Sequence, residues 1–511
     1  VPALIFATEA MTFAIVSMSR PPGGQPVRKK CRSRLAIAKP TDCDTITCVE
    51  AKHGGCAAAL GMARPFLTLG LGPAVLPDEQ EKIMNRSASI TRRDFLTRMA
   101  AAVGTSVVLP TVVPSSVFGA NAPSNRIVMG AIGVGSQGTG DMQGFLSKPE
   151  VQMVAVCDVD KAHRDSAKKI VDDQYGNGDC KSYLDFRELI GRGDLDAVQL
   201  ATPDHWHAIP AIEAARSGLD IHGQKPLARS IREGRAICDA VQRYGRVWQT
   251  GSQQRSEWKF RRACELVRNG RIGKILKIEV GLPTGGGTDV KPVMPVPEGL
   301  DWNLWLGPAP LVPYRGVAHW DWRWIMDYSG GQLTDWAGHH IDIAHWGMGW
   351  DLTGPVEIEG RGNYPSEGLY NVATEYKFTC KYADGIVMTV ANNKQLTQGT
   401  KWYGEKGWVY VDRAGLSASD EKILKEEISP SEIRLYESRD HKQNFLDCVR
   451  SRRLTICPVE VGHRSISVGL LGEIAMLTGR KIKWDPQTEQ ILDDPQASAL
   501  LGRSYREPWI L

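Results

Sequence analysis

The sequence predicts an α/β protein with a parallel sheet in the middle of the chain and a second domain after it. Short apolar runs alternate with amphipathic segments between residues 127 and 250, and this alternation is typical of parallel strands joined by right-handed helical crossovers. A glycine-rich turn follows the first apolar run directly. After residue 272, runs with period-two alternation replace the earlier pattern, which indicates a separate domain rich in strands.

The composition excludes several classes of protein. The chain has 511 residues, of which 42% are hydrophobic and 23% charged, a balance typical of globular proteins and unlike that of disordered or collagenous chains. The formal charge is +4, and the first 122 residues hold 14 Lys and Arg against 8 Asp and Glu. The rest of the chain is therefore close to neutral, and no nucleic-acid partner is predicted. The seven cysteines after residue 84 lack zinc-ligand spacing and are predicted to be buried apolar residues.

The N-terminal region is predicted to precede the folded domains. Residues 1–83 show no periodicity or motif, so we interpret them as a disordered leader or as non-native sequence upstream of the true start. Residues 84–122 combine the pair Arg92-Arg93, a weakly apolar run and a small-residue site at 120–122, which is typical of a twin-arginine signal peptide. A surface helix with an incidental arginine pair is the alternative. No later stretch is long and apolar enough to span a bilayer, so we expect a periplasmic protein, delivered by the twin-arginine export machinery, with no membrane span after signal removal.

The elements of the two domains can be placed approximately. For the first domain, residues 124–250, predicted strands cover 127–133, 152–157, 196–201, 219–222 and 247–250, and predicted helices lie near 208–217 and 231–244. For the second domain, residues 251–511, predicted strands cover 272–280, 356–360, 373–382, 386–391 and 408–411, and predicted helices lie near 441–451 and 462–478. Ligands of parallel sheets bind at the carboxyl ends of the strands, so Thr202-Pro203 and Lys225-Pro226 are expected to border one crevice.

A dinucleotide-binding motif follows the first strand. The run GVGSQG occupies residues 133–138 and opens a helix. Gly133 permits a tight turn, Gly135 lets the backbone approach a pyrophosphate, and Gly138 lets the helix pack on the strand. The helix N-terminus then presents unpaired N–H groups to the phosphates. The predicted cofactor-binding residues of this turn are Gly133, Gly135, Ser136, Gln137 and Gly138.

Asp158 is predicted to select the cofactor. It ends the second strand, 20 residues beyond Gly138, where a carboxylate can accept hydrogen bonds from the adenosine ribose. Because a carboxylate would repel a 2′-phosphate, NAD is favoured over NADP. The neighbouring His163 and Arg164 keep NADP as an alternative.

Five motifs together resemble the glucose–fructose oxidoreductase / inositol dehydrogenase / rhizopine catabolism (Gfo/Idh/MocA) family. They are residues 133–138, 157–160 (CDVD), 201–207 (ATPDHWH), 224–227 (QKPL) and 330–342, and the resemblance covers about three quarters of the chain. It implies an N-terminal Rossmann domain and a C-terminal α/β domain with a large, mostly antiparallel sheet. It also implies tightly held NAD or NADP, carbohydrate-like substrates and a homo-oligomer formed through the C-terminal sheet.

The resemblance also assigns roles to individual residues. The family's E-K-P lysine falls on Lys225, its D-x-x-x-H pair falls on Asp335 and His339, and the histidine of its T-P-x-x-x-H stretch falls on His207. Gln224 replaces the acid before the lysine and lacks the charge that would hold the lysine protonated. The expected cofactor contacts at these strand ends are Thr202, Pro203, His207, Gln224 and Lys225.

The segment 330–342 carries the predicted chemistry. If Thr334 caps a helix, then Asp335, His339 and Asp342 stand at i, i+4 and i+7 on one face. His339 is the expected base for a hydroxyl proton, because imidazole titrates near neutral pH. Lys225 is the expected donor to the substrate oxygen, and Asp335 is expected to orient the lysine, the histidine and the substrate. A structural hydrogen-bond network under a core helix is the alternative.

Tryptophans surround this segment, and no metal site is predicted in it. Eight of the 15 tryptophans lie between residues 302 and 350. Their flat faces suit the C–H face of a sugar ring, and an inter-domain core is the alternative. The expected substrate contacts are Trp322, Arg323 and His340. The adjacent His339 and His340 point to different sides of a helix, which disfavours a shared metal ion.

The leading prediction is an NAD(P)-dependent oxidoreductase that transfers hydride between nicotinamide and a hydroxyl of a sugar, glycoside or related polyol. Two alternatives stay open: a glycoside hydrolase that uses bound NAD for transient oxidation and elimination, and a non-catalytic cofactor-binding protein. Because nicotinamide cofactors are scarce outside the cytoplasm, an exported enzyme is expected to hold NAD tightly and to recycle it with a second carbonyl substrate.

Overall fold

The computed structural model describes residues 125–287 and 290–511. The predicted leader at residues 1–83 and the predicted signal at residues 84–122 lie outside the described residues, so both stay predictions. Within the described ranges, no helix combines the length and the apolar character that crossing a membrane requires. The seven cysteines of these ranges are free and buried, as their spacing predicts.

The first domain is a Rossmann fold with one parallel sheet. Its strands are β1 (Ile127–Ile132), β2 (Val151–Cys157), β3 (Lys181–Tyr183), β4 (Ala197–Leu200), β5 (Asp220–Gly223) and β6 (Trp248–Thr250). Its helices are α1 (Ser136–Leu146), α2 (Lys161–Tyr175), α3 (Phe186–Ile190), α4 (Ala208–Arg216) and α5 (Ile231–Arg243). The strand order is β3-β2-β1-β4-β5-β6, so the chain direction across the sheet reverses between β1 and β4. That reversal opens the crevice in which such sheets bind ligands.

Local sequence explains where these elements begin and end. Strands β1 and β4 are buried almost throughout, because parallel sheets of this type carry helices on both faces. Helix α2 begins at Asp160, whose carboxylate accepts the N–H of Ala162, and it ends at Gly176, which has a φ of +67°. Helix α5 begins at Ser230, which caps the helix with its hydroxyl.

The second domain is built on a nine-stranded sheet. Its strands are β7 (Ile275–Leu282), β8 (Glu357–Asn363), β9 (Glu375–Lys381), β10 (Val387–Asn392), β11 (Gly399–Gly404), β12 (Gly407–Val411), β13 (Leu416–Ala418), β14 (Ile482–Asp485) and β15 (Gln490–Leu492). Their order is β13-β12-β11-β7-β10-β9-β8-β14-β15. Strands β7 and β10 pair in parallel, and every other neighbouring pair is antiparallel. The predicted fold class, a Rossmann domain followed by an α/β domain with a large, mostly antiparallel sheet, is confirmed.

A long buried helix connects the two domains. The helices of the second domain are α6 (Trp258–Arg268), α7 (Trp302–Leu306), α8 (Gly331–Trp336), α9 (Asp342–Met348), α10 (Glu421–Lys425), α11 (His441–Ser451), α12 (Val459–Thr478) and α13 (Pro495–Ala499). Helix α12 packs against α5 of the first domain and β8 of the second. Arg229 donates hydrogen bonds of 2.7 and 3.1 Å to Glu473 of α12. This buried ion pair fixes the first domain against the second at the cleft described below.

Candidate active site

The glycine-rich turn closes tightly on the end of β4. Gly133 has a φ of +76°, and a Cβ on it would lie 2.7 Å from the carbonyl carbon of Ala201, so a side chain does not fit there. A Cβ on Gly138 would lie 1.9 Å from the carbonyl oxygen of Gly133. Both glycines are therefore required by the packing of α1 against the turn, which is the role that the motif assigns to them.

The N-terminus of α1 is open to the cleft. Gly135 caps the helix without a side-chain hydrogen bond. The backbone amides of Ser136, Gln137 and Gly138 donate no hydrogen bond to another residue of the described ranges. Unpaired amides at the positive end of a helix form an anion site. A Cβ on Gly135 would meet only the ring of His163, at 3.6 Å, so the cradle has room for a diphosphate.

Asp158 stands beside this cradle at the end of β2. Its carboxylate accepts the N–H of Val134 and the N–H of Asp160, each at 2.9 Å. The side chain stays 12% exposed and lines the cleft, which leaves lone pairs for the hydroxyls of an adenosine ribose. Nδ1 of His163 lies 3.7 Å from the same carboxylate, and the interaction with this anion raises the pKa of His163.

Residues 290–325 of the second domain, which we call the cover segment, lie over the same end of the cleft. The N–H of Lys161 donates to the carbonyl of Gly299 at 2.9 Å, and the N–H of Asp301 donates to the carbonyl of Val159 at 3.1 Å. Nε2 of His319 lies 2.7 Å from the Asp160 carboxylate. The cover segment is therefore bonded to the loop after β2, the loop that would hold the adenosine. Its residues on the cleft wall are Leu300, Leu304, Trp305, Ala318, His319, Trp322 and Arg323.

Lys225 and Asp335 meet at the other end of the cleft. Nζ of Lys225, just after β5, donates a hydrogen bond of 2.7 Å to Oδ1 of Asp335 in α8. The two side chains are 15% and 18% exposed, and both line the cleft. Burial alone would raise the pKa of Asp335, but the charge and hydrogen bond of Lys225, with the charges of Arg323 and Arg413, hold it below its usual value. Asp335 is therefore an anion at neutral pH.

His339 lies directly behind this pair. A Cβ on the preceding Gly338 would lie 3.1 Å from the Cβ of Lys225, so this segment packs on the lysine. The His339 side chain is 4% exposed, and its Nδ1 is buried without a hydrogen-bond partner in the described part of the chain. Burial, followed by the charges of Lys225 and Arg413, lowers the pKa of His339 well below its usual value. The imidazole is therefore neutral at neutral pH.

A π-helical turn at Ala337–Ile341 separates α8 from α9 and changes the predicted helix face. Helix α8 begins at Gly331, and the Thr334 hydroxyl bonds inside it to the Gly331 carbonyl at 3.4 Å. The wider turn adds a residue to the helix, so Asp342 points away from the cleft and pairs with Arg255 at 2.7 and 2.9 Å. The predicted cap at Thr334 and the predicted single face that includes Asp342 are therefore wrong.

Gln224 supports the cleft from behind. Its Nε2 donates to Oδ2 of Asp141 at 2.5 Å, and Nζ of Lys442 donates to the other oxygen of the same carboxylate at 3.0 Å. The amide therefore faces α1, although part of Gln224 lines the cleft. The counter-ion of Lys225 is Asp335, so the missing acid at position 224 does not leave the lysine unpaired.

His207 holds two strand ends together. Its Nδ1 lies 2.6 Å from the carbonyl oxygen of Pro226, and its Nε2 lies 2.8 Å from the carbonyl oxygen of Thr202. A neutral imidazole carries hydrogen on one nitrogen and donates to one of the two carbonyls, whereas an imidazolium donates to both. The side chain is buried, and its contacts place it in the wall rather than on the surface of the cleft.

The predicted substrate residues divide into two groups. Trp322 and Arg323 line the cleft, whereas His340 is 1% exposed and stacks on Trp336 at 5.4 Å. Trp302 and Trp305 stack on each other at 4.7 Å in an apolar cluster that also contains Trp322. Because Trp305 also lines the cleft, the core interpretation alone describes the observed packing only for Trp302.

One cleft of about 1150 Å³ contains both ends of the site. The sequence-predicted residues on its wall are Gly133, Gly135, Ser136, Gln137, Gly138, Asp158, Thr202, Pro203, Gln224, Lys225, Trp322, Arg323 and Asp335. The predicted residues that do not line it are His207, His339 and His340. The first end has the unpaired amides and the carboxylate that would hold a dinucleotide, and the ion pair lies on the wall at the second end.

Sequence reasoning missed several residues of the site. The sequence analysis singled out His163 and the motif that contains Asp160, but not His319, which is far away along the chain. A carboxylate oxygen of Asp160 and a ring nitrogen of each of these two histidines lie within 4.8 Å of one another. Asp141 follows the glycine motif on the buried face of α1, and a buried acid there was the available signal. Arg413 gave no signal, because it lies in the loop between β12 and β13 without a motif.

Two family models match most of the described chain. The NAD-binding Rossmann fold of the Gfo/Idh/MocA oxidoreductase family matches residues 127–252. The C-terminal alpha/beta domain of the same oxidoreductase family matches residues 258–511.

Individual relatives match over shorter stretches. An alpha-N-acetylgalactosaminidase of Shewanella oneidensis is 30% identical over 37% of this chain and 45% of the relative. A levoglucosan dehydrogenase of Pseudarthrobacter phenanthrenivorans is 29% identical over 41% of this chain and 52% of the relative. The match therefore spans about half of each curated relative. The WlbA dehydrogenase structure from Bordetella pertussis, a complex with NADH and UDP-GlcNAcA, is 17% identical with a TM-score of 0.52, and the match covers 70% of this chain and 99% of that one. This structural likeness concerns the fold.

Proposed function

Because the chain belongs to the Gfo/Idh/MocA oxidoreductase family, we propose that it transfers hydride between a nicotinamide dinucleotide and a hydroxyl of a sugar, glycoside or related polyol. The 2.7 Å pair of Lys225 and Asp335 carries the proposal, since it stands in the same cleft as the dinucleotide cradle. A bound nicotinamide would supply the hydride acceptor, and the protein supplies position and charge.

The residues at the ion pair divide the remaining work. Nζ of Lys225 donates a hydrogen bond to the reacting oxygen of the substrate and stabilises negative charge that develops on it. Asp335 fixes the position of the ammonium group. The imidazole of His339 is uncharged but does not line the cleft, so it would accept the hydroxyl proton through one intervening water rather than directly. The buried wall around these groups restricts water and strengthens their electrostatic interactions.

A substrate panel with a matched lysine control tests the proposal. Purified protein is incubated with NAD or NADP and with glucose, galactose, myo-inositol and their methyl derivatives, and nicotinamide absorbance and products are followed together. Turnover of at least one compound is expected, with loss in Lys225→Met and retention in Lys169→Met, a surface lysine paired with Asp173. Cofactor binding without redox change for any compound, in the wild-type protein, would support the non-catalytic alternative.

Net glycoside hydrolysis is the second candidate. The partial match to an alpha-N-acetylgalactosaminidase and to glycosyl hydrolase family 109 proteins favours it. In that case a bound nicotinamide would return the hydride to the same sugar after the leaving group has been eliminated and water has been added, so no reduced cofactor would accumulate. Release of nitrophenol from nitrophenyl N-acetyl-α-galactosaminide without a lasting absorbance change of the cofactor would distinguish hydrolysis from net oxidation.

Tight retention of NAD belongs to the same proposal. The cover segment is hydrogen-bonded to residues 159–161, so an adenosine under it would leave only after these bonds open. The Asp158 carboxylate at this position favours NAD over NADP. Purified protein is expected to release about one NAD per chain on denaturation. A purified preparation free of cofactor would contradict tight retention, and a preparation loaded with NADP would contradict the preference.

Export and oligomerisation are further parts of the proposal. The Arg92-Arg93 pair and the small residues at 120–122 support twin-arginine export to the periplasm, which is tested by cell fractionation of the wild type and of an Arg92→Lys/Arg93→Lys variant.

The exposed Leu276 and Val387 on neighbouring strands of the nine-stranded sheet support a homo-oligomer through that sheet. Light scattering after gel filtration measures its mass, and a monomer at all concentrations would contradict it.

A further inference from the structure

The guanidinium of Arg323 lies against two tryptophan rings and makes no hydrogen bond to another described residue. Its guanidinium carbon lies 4.3 Å from the ring centre of Trp320 and 4.4 Å from that of Trp322. The side chain is 18% exposed and lines the cleft. Its nearest acid is Asp335, with Nε 3.9 Å from Oδ1, which is too long for a hydrogen bond. Across the described residues, the guanidinium donates no hydrogen bond.

Other buried arginines of this protein are satisfied in a different way. Arg229 donates two hydrogen bonds to one carboxylate, and Arg255 donates three to two carboxylates. Beside Arg323, the carboxylate of Asp321 is already paired with Lys291, and Asp335 is paired with Lys225. The N–H edges of Arg323 therefore remain available to a ligand.

A second arginine, Arg413, acts on Asp335 through its charge but does not line the cleft. Arg413 lies with its guanidinium carbon 4.6 Å from the ring centre of Trp336, the residue after Asp335. Its guanidinium donates no hydrogen bond within the described ranges, and the neighbouring Asp412 is engaged by the N–H groups of Ala414 and Gly415. The charge of Arg413 reaches Asp335 and His339. Arg413 itself is exposed, so it can approach a ligand from the solvent side.

The charges around the ion pair do not balance. Lys225 and Asp335 cancel each other, and the carboxyl of Asp204 on the same wall accepts the Ser329 hydroxyl at 2.6 Å and has its pKa raised by burial. Within the described residues, neither guanidinium group has a carboxylate at hydrogen-bond distance. A guanidinium stacks its weakly hydrated faces on aromatic rings while its planar edge donates parallel hydrogen bonds that match a carboxylate or a phosphate. The contacts with Trp320 and Trp322 hold the guanidinium of Arg323 in place before a ligand binds, so the side chain loses little rotamer entropy on binding.

We propose that the sugar substrate of this enzyme carries an anionic group, bound by the edge of Arg323 and supported by Arg413. The proposal rests on the proposed oxidoreductase function and names the substrate class of the same site. A carboxylate, as in a uronic acid, and a sulfate or phosphate ester present the same chemistry to a guanidinium. The anionic group lies on the substrate away from the reacting hydroxyl, which faces Lys225.

Matched pairs of sugars test this inference. Binding to the NAD-loaded protein is measured by calorimetry, and kcat/KM by nicotinamide absorbance, for glucose against glucuronate, galactose against galacturonate, and glucose against its 6-phosphate and 6-sulfate. We expect at least one anionic member to be preferred by about 10–100-fold, the value of one or two charge-assisted hydrogen bonds. A preference for glucuronate or galacturonate identifies a carboxylate, and a preference for the 6-substituted sugars identifies an ester.

Substitutions connect the preference to the arginine. In Arg323→Gln, the ratio of anionic to neutral kcat/KM is expected to fall by about tenfold or more through a higher KM, with a smaller fall in Arg413→Gln. Arg439→Gln, at a solvent-exposed arginine paired with Glu437, is expected to keep the wild-type ratio. If the neutral sugars have a kcat/KM equal to or higher than that of their anionic counterparts, the inference is overturned and the oxidoreductase proposal still stands. Absence of binding by all four anionic sugars would overturn it as well, and absence of turnover by every sugar would count against the oxidoreductase proposal itself.

Discussion

Two ion pairs connect the first domain and the residues just after it to the same helical stretch, and their surroundings differ. Lys225 and Asp335 meet at 2.7 Å with side chains 15% and 18% exposed at the cleft. Arg255 and Asp342 meet at 2.7 Å with side chains 3% and 1% exposed, and Arg255 also reaches Asp351 at 2.6 Å. Two acids seven positions apart therefore serve different ends: the first is available to a ligand, and the second is closed off in the core.

The π-helical turn between the two acids explains the difference. In a continuous α-helix, residues seven apart share a face, and both acids would point into the cleft. The turn at Ala337–Ile341 rotates α9 so that Asp342 faces Arg255 and Asp335 keeps the cleft. Such turns are rare and occur often at functional sites, and here the turn also holds His339.

Removing the cleft cation is expected to give the largest effect on activity. Lys225→Met takes away the hydrogen-bond donor to the substrate oxygen, so kcat/KM should fall by about 10²–10⁴-fold. The free energy of unfolding should change by about 1 kcal/mol or less, because the pair is partly solvated and Arg323 remains near Asp335. Steady-state kinetics and urea unfolding measure the two quantities. A large loss of stability would mean that the cleft pair acts like the buried one.

Removing the buried cation should have the opposite outcome. Arg255→Met leaves Asp342 and Asp351 without their partner, and a carboxylate that loses its partner in a core costs about 3–5 kcal/mol of unfolding free energy. The activity per folded molecule should be kept. Urea unfolding, with Arg439→Met as the exposed control, measures the first quantity, and active-site titration measures the second. If Arg255→Met keeps the wild-type stability but loses activity, the buried pair does not have the structural role that this comparison assigns to it.

Acid is expected to lower the stability of the folded protein, because several histidines are buried in and around the helical stretch that carries Asp335 and Asp342. Burial lowers the pKa of His340 to about 3 and that of His345 to about 4, and it lowers the pKa of His222 to about 4 and that of His441 to about 3. Between these values and about 6.5, the unfolded chain binds protons that the folded chain does not. Stability is therefore highest above about pH 6.5 and falls as the pH is lowered.

Each of these histidines should remove about 1–2 kcal/mol of unfolding free energy between pH 7 and pH 5. Urea unfolding across this range measures the slope. In His222→Phe the slope should be smaller, because both ring nitrogens of His222 are buried without partners and the replacement cannot bind a proton. An unchanged slope in this variant would show that the imidazole is not buried in a neutral form.

The sequence predicted the cofactor end of the cleft better than the substrate end, for a physical reason. The roles of Gly133, Gly138 and Asp158 depend on a turn, a helix start and a strand end that lie within about thirty residues, and the backbone conformation dictates the residue type there. The family resemblance supplied Lys225 and Asp335 and the expectation that Asp335 orients the lysine, but no local pattern in the sequence places the two side chains in contact. Long-range packing decides such contacts.

Three other features depended on packing that no local pattern encodes. The π-helical turn leaves no signature in the run of residues 337–341, which is compatible with an ordinary helix. The cover segment reaches the loop after β2 from about 140 positions away. The sequence shows that tryptophans lie close to Arg323 along the chain, but it does not show that their rings lie against the guanidinium.

Asp158, at the far end of the cleft, is a third acid to compare with Asp335 and Asp342. Its carboxylate accepts hydrogen bonds from two backbone amides and from no lysine or arginine side chain of the described ranges. Asp158→Asn keeps an acceptor oxygen for only one of those two N–H groups, which bond to different carboxylate oxygens, and it removes the negative charge that repels a 2′-phosphate and attracts the ribose hydroxyls. The expected result is a fall of about tenfold, or ~1.4 kcal/mol, in the preference for NAD over NADP.

Asp165→Asn, at an exposed acid of α2 paired with Lys161, is the control and should keep the wild-type preference. Competitive binding of NADH and NADPH followed by fluorescence measures the ratio directly. A preference that is unchanged in Asp158→Asn would assign cofactor choice to His163 and Arg164 instead, since these are the cationic groups beside the same ribose position.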